Sequence, residues 1–147
     1  MEHKKDININ LEHIREHFRN DRFATKNGMV IDSATEDCVV CSMEINGDHR
    51  NSVGRVQGGA IFTLADLAFA VHCNLAMVCG EDVSATVGQS CSISFLKSTK
   101  GKRLRATSTC LSKGRSICVY RIRIEDDLGV LIAEMLANGF TMNKTIV

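Results

Sequence analysis

The sequence predicts an α+β domain: a curved antiparallel β-sheet wrapped around one long buried helix, with an amphipathic helix at the N-terminal end. One segment, from about residue 58 to 79, is apolar around its whole circumference, so as a helix it must be covered on most sides. The segments after it alternate apolar and polar residues, the pattern of half-buried antiparallel strands. Proline is absent, so glycine and polar turns alone must divide those strands. A single helix covered on nearly all sides needs a wrapping surface, and one strongly curved sheet supplies it.

Taken in order, Ile7, Leu11, Ile14 and Phe18 recur at spacings of three and four and predict a helix over about residues 9–23, capped by Asn8 or Asn10. Asn27-Gly28 marks a turn. Met29 to Ile45 reads as two strands joined through the polar stretch Asp32 to Asp37, and a polar loop runs from Asn46 to Gln57. The Ala-, Leu- and Met-rich central segment favours helix and ends at Gly80-Glu81-Asp82. Strands are expected over residues 83–96, 103–111, 115–125 and 130–141.

The 147 residues suit one domain spanning the whole chain, 1–147. A net charge of +1 gives no general attraction to nucleic acid or membranes, and neither is expected as a partner. The most apolar stretch, Ala60 to Cys79, is interrupted by Asp66, His72 and Asn74, and the N-terminus lacks the apolar centre of a secretory signal. A cytoplasmic location is therefore expected. The odd count of seven cysteines fits free thiols rather than a disulfide framework. Cys38 and Cys41 form a CxxC pair inside a strand-like run. Residues three apart on a strand point to opposite faces, so no metal site is expected.

The segment Asn51-Ser52-Val53-Gly54-Arg55-Val56-Gln57-Gly58-Gly59-Ala60-Ile61-Phe62-Thr63-Leu64-Ala65-Asp66 resembles the phenylacetic-acid-degradation (PaaI-type) acyl-CoA thioesterases of the hotdog fold. Their pattern is N-x-x-G-x-x-H-G-G followed by an apolar turn and a catalytic acid. Asn51, Gly54, Gly58, Gly59 and Asp66 fall at that spacing, and the likeness extends over roughly residues 28–141. The resemblance implies hydrolysis of acyl-CoA, with coenzyme A as part of the substrate and no separate cofactor. Two departures stand out. The family histidine is Gln57, which can orient by hydrogen bonding but cannot titrate. A serine near the attacking water falls at Gly88, which Gln89 or Ser90 replaces only in a different register.

These residues suit the implied chemistry. Gly58 at the helix N-terminus offers a free N–H, aligned with the helix dipole, to a thioester oxygen gaining negative charge. Asp66 serves as general base on water or as nucleophile. Asn51 orients water or carbonyl, Gln57 orders the loop, and Gly59 permits close approach. Asp66 follows Gly58 by eight residues, about 12 Å along a helix, so one helix cannot bring both to one carbonyl. A homodimer with antiparallel central helices can, and a dimer of dimers is expected. His72 is expected to be packed within the helix and His49 to be solvated.

No Asp or Glu occurs between Val83 and Ile124, a stretch holding nine basic residues, half of the chain's 18. Such a surface attracts the coenzyme A phosphates, with Lys97, Lys113 and Arg115 as the expected contacts. Two other readings of this fold stay open: a non-catalytic acyl-CoA binder, and a dehydratase of hydroxyacyl thioesters.

Overall fold

The computed structural model describes residues 7–142. Helix α1 (Leu11–Phe18) is capped by Asn10, whose Oδ1 accepts the His13 N–H at 3.2 Å. It buries Ile14 and is pinned to the first strand by Arg15, whose Nε donates to the Ile31 carbonyl at 2.9 Å. The single helix expected over about residues 9–23 is two. Asp21 caps a second, short helix, α2 (Arg22–Lys26), by accepting the Ala24 N–H. A local cap thus wins over continued periodicity.

Strands β1 (Met29–Ala34) and β2 (Val39–Glu44) form the expected hairpin. Helix α3 (Gly58–Cys73) follows, then a short helix α4 (Leu75–Val78) and the strands β3 (Thr86–Phe95), β4 (Arg103–Lys113), β5 (Ile117–Asp126) and β6 (Leu131–Thr141). The six strands make one antiparallel sheet in the order β1-β2-β4-β5-β6-β3. Helix α3 contacts all six, the hotdog arrangement of a sheet wrapped around a helix. Register shifts interrupt the β1–β2, β3–β6, β4–β5 and β5–β6 ladders. Such irregularities bend strands and give the sheet its wrap without proline.

The central helix expected over about residues 58–79 stops at Cys73. Asn74 leaves the helical region (φ −112°, ψ 10°) and turns its side chain to the sheet. Its Nδ2 donates to the Ala70 carbonyl at 2.9 Å and the Thr86 carbonyl at 3.0 Å, and its Oδ1 accepts the Thr86 N–H at 2.8 Å. One buried amide thereby ends α3 and starts β3.

The helix is not buried on nearly all sides either. Leu64, Ala65, Leu67, Ala68, Phe69 and Val71 are buried, but a stripe at helical spacing stays open, with Gly59 and Asp66 exposed and Phe62, Thr63 and Ala70 half-buried. The flanking strand β3 is an edge strand, also largely exposed.

Asn74→Ala removes the side-chain hydrogen bonds to Ala70 and Thr86 from a buried position and leaves the Thr86 N–H without its partner. It is expected to lower unfolding free energy by about 1–3 kcal/mol, measured by chemical denaturation; an unchanged midpoint would mean that β3 is anchored elsewhere.

Candidate active site

The chemistry-bearing end of the molecule is built around the N-terminus of α3. Gln57 is extended (φ −68°, ψ 135°) and acts as the helix cap: its Oε1 accepts the Gly59 N–H at 2.5 Å, and its carbonyl accepts the Ala60 N–H at 2.9 Å. The Gly58 N–H has no acceptor among the described residues. Capping therefore satisfies the amides around Gly58 and leaves its own pointing out of the helix end, where the helix dipole is positive. Gln57 does not turn toward a ligand; its carbonyl oxygen is committed to the helix.

The loop before the helix is equally fixed. Asn51 Oδ1 accepts the Val53 and Arg55 N–H groups at 3.1 and 3.0 Å, and the Asn51 N–H donates to the Arg55 carbonyl at 2.7 Å. Gly54, at φ +77°, supplies the left-handed step this turn requires. With Oδ1 engaged twice, Asn51 has only its Nδ2 donor left: it can point a hydrogen at a carbonyl but cannot accept from water. Beneath the loop, His49 is buried rather than solvated. Its Nδ1 accepts the Asn46 N–H and its Nε2 donates to the Asn27 carbonyl at 2.8 Å, tying the loop to the α2–β1 turn.

Asn51, Gly58 and Lys97 converge on one pocket of about 400 Å³. Arg55, Val56, Ile61, Phe95, Leu96, Ser98, Thr99 and Ile132 complete its walls. The Phe95 ring stands over Gly58, so a Cβ there would lie 3.2 Å from the ring edge. Arg55 and Phe95 were not among the residues singled out from sequence. The signal for Arg55 was its place in a turn leading straight into a Gly-Gly helix start.

Asp66 lies on the open stripe of α3, outside this pocket. In the single chain its side chain is exposed, although its helix neighbours Ala65 and Leu67 are buried. The helix and sheet still desolvate it in part, which raises its pKa above the usual carboxylate value, and the like charge of Asp21 adds to that. Facing it from β3 is Cys91, whose own pKa is raised by burial and then by the Asp66 charge. Gly88 also faces the helix, with Phe69 beneath it. Ser90 does not: the bulge between Gly88 and Ser90 turns it to the outer face, where it accepts from Asn138 Nδ2 at 3.0 Å. The register thus puts Cys91, not Ser90, on the Asp66 side.

The basic strands divide as well. Arg103, Arg105, Arg121 and Arg123 pair with Asp32, Glu125, Glu134 and Glu125 respectively. Lys113 lines a different pocket, with His72 and Cys73 near the C-terminal end of α3, and Arg115 lies two residues on in the β4–β5 turn. Neither is brought to the Gly58 pocket. His72 is a packed helix residue, hydrogen bonded to Ser108 Oγ at 3.0 Å and the Glu36 carbonyl at 2.8 Å, and its burial lowers its pKa. Cys41 is buried in β2 and Cys38 half-buried just before it. Among the described residues no group of His, Cys, Asp and Glu is placed to hold a metal ion, and no helix is long and apolar enough to cross a membrane.

The thioesterase superfamily model matches residues 53–133, which include the Gly58 amide and Asp66. The chain is 33% identical over 130 residues to the acyl-coenzyme A thioesterase PaaI of Escherichia coli, covering 88% of this chain and 89% of that protein. The solved structure of the E. coli PaaI protein from the phenylacetic acid degradation operon superposes with a TM-score of 0.78 at 28% identity, over 91% of this chain and 97% of that one. A thioesterase from Haemophilus influenzae shares the fold, with a TM-score of 0.83 at 21% identity and 93% of each chain covered.

Gln57→Ala removes the side-chain cap of α3. It is expected to lower unfolding free energy by about 1 kcal/mol; full stability of the variant in denaturant titration would show that the Gly59 amide does not depend on Oε1.

Proposed function

The chain belongs to the thioesterase superfamily, and we propose that it hydrolyses acyl-coenzyme A thioesters to free acid and coenzyme A at sites shared between two copies of the chain. The observation that carries this reading is the pairing of two features on α3: an unclaimed Gly58 amide at its tip and a partly desolvated Asp66 two turns further along an open stripe.

The thioester carbonyl sits at the Gly58 N–H, with the Asn51 Nδ2 as a second donor near it. Asp66 of the other copy takes a proton from water as the water oxygen attacks the carbonyl carbon. The tetrahedral oxyanion is held by the Gly58 amide, whose dipole is already in place. The carbon–sulfur bond then breaks, and the coenzyme A thiolate leaves with the proton that Asp66 took. Asp66 can act as nucleophile on the same geometry. Water, one amide and one carboxylate suffice, and the route calls on no cofactor.

A two-fold axis between antiparallel α3 helices brings each Gly58 to the partner's Asp66. Two further features support that assembly. β3 is a free sheet edge carrying exposed Val87 and Phe95, followed by exposed Leu96, and unpaired edges in water are otherwise an aggregation hazard. The open stripe of α3 lies beside it. For a dimer of dimers, the outer sheet face offers the cross-strand row Ile117, Phe140 and Val87, with Leu136 also exposed on that face. The odd count of seven cysteines, which suits free thiols in a reducing compartment, supports placing the enzyme in the cytoplasm.

A free-thiol release assay across short, long and aromatic acyl-CoAs tests the activity. Asp66→Asn is expected to lower kcat about 10²- to 10⁴-fold; a loss below tenfold would remove Asp66 from the chemistry. Gly58→Pro deletes the amide hydrogen at the first helical position, which tolerates proline, and the extended Gln57 before it already has the required conformation. It is expected to fold with unchanged circular dichroism and lose about 10²- to 10³-fold in kcat; full activity would place the oxyanion elsewhere. Because the base must be ionised and its pKa is raised, kcat/KM is expected to fall on acidification through a value above the ordinary Asp range. An acid limb at or below that range would contradict the role.

A further inference from the structure

We infer that Arg55 and Lys97 form the phosphate-binding mouth of the Gly58 pocket, which selects acyl groups carried on a diphosphate-bearing thiol. The inference rests on the thioesterase reading and adds to it the residues that recognise the carrier rather than the acyl group.

The pocket is two-sided. Val56, Ile61, Phe95 and Ile132 make an apolar floor next to the Gly58 amide, while Arg55, Lys97 and Ser98 supply donors, and no lining residue is acidic. A pantetheine arm, with its dimethyl-bearing chain and two amides, suits the floor; a diphosphate suits the donors. The volume of about 400 Å³ falls within the usual range for small-molecule sites.

The pairing of charges separates these two cations from the strand arginines. Arg103, Arg105, Arg121 and Arg123 each face a carboxylate across or along the sheet. Arg55 and Lys97 have no carboxylate within ion-pair distance among the described residues. The lining residue Thr99 is bonded to an acid, Asp126, which accepts from Thr99 Oγ1 at 2.7 Å and from the Leu128 and Val130 N–H groups at 3.0 and 2.9 Å. Desolvation opposes its ionisation, but those bonds outweigh it and hold its pKa below the usual value. Its charge is thus spent on its own turn.

Arg55 is also held ready. Its backbone is clamped on both sides by Asn51, and its Nη1 donates across the pocket to Ser98 Oγ at 3.3 Å. The guanidinium therefore bridges the α3 loop and the chain leaving β3, where a planar fork can take two phosphate oxygens at little entropic cost.

The test compares one acyl group on two carriers: coenzyme A, and N-acetylcysteamine, which keeps the thioester but lacks phosphate. Arg55→Ala and Lys97→Ala are expected each to raise KM for the coenzyme A thioester about tenfold, with kcat held, and to leave the N-acetylcysteamine thioester within twofold. Arg55→Lys is expected to recover part of the lost affinity, and raised salt to weaken the wild type more than the variants. Equal losses on both carriers would reduce Arg55 to a loop-building residue, and unchanged KM would remove it from the site; either overturns the inference. Should the wild type hydrolyse neither thioester, the thioesterase reading fails. Calorimetric titration with coenzyme A then decides: binding weakened about tenfold by Arg55→Ala sustains the phosphate mouth, and no binding, or equal binding by the variant, overturns it.

Discussion

A helix is a rigid ruler, and that rigidity governs this protein. Gly58 and Asp66 stand eight residues apart on α3, about 12 Å along its axis, so they cannot act on the same carbonyl from one chain. The two halves of the proposed chemistry, an amide to receive negative charge and a carboxylate to activate water, are built into one element at a separation that prevents them from meeting. In the proposed dimer, a second α3 running the other way supplies each with its counterpart.

The features of the single chain that look like defects fit the proposed shared site. An open stripe along the central helix, an exposed carboxylate and an unpaired strand edge with exposed apolar side chains all lie on one side of the molecule. A self-sufficient domain would cover them. The opposite side of α3 is packed against the sheet by Leu64, Ala65, Ala68 and Val71, each without exposed surface. The fold thus spends its apolar surface on fixing the helix and leaves the working side open. Around the helix tip, the caps from Gln57 and the clamp from Asn51 do similar service: they satisfy neighbouring amides and leave the Gly58 N–H unclaimed.

Much of the architecture was legible in the residues. The all-round apolar segment announced a wrapped helix, and alternation announced the strands. Helix ends were less readable, because they depend on side chains acting at a distance. Asn74 ends α3 through Thr86, twelve positions away, and the apolar residues continuing past it gave no hint. Ser90 was misplaced because a bulge after Gly88 reverses the face of the strand, and a one-residue slip moves every side chain across the sheet. The basic strands misled for a related reason. The stretch contains no acid of its own, but pairing brings Asp32, Glu125 and Glu134 beside its arginines. That Arg55 and Lys97 share one pocket without a carboxylate partner was readable only once the neighbours were known.

The shared site is tested most directly by mixing two inactive proteins. Asp66→Asn and Gly58→Pro chains, unfolded and refolded together in equal amounts, form hybrids in which one site has both groups intact and the other has neither. With random pairing half the dimers are hybrids, each with one working site of two, so the account expects about a quarter of wild-type activity to return. Activity that stays at the sum of the two separately refolded variants would contradict it, and would put both groups of each site in the same chain.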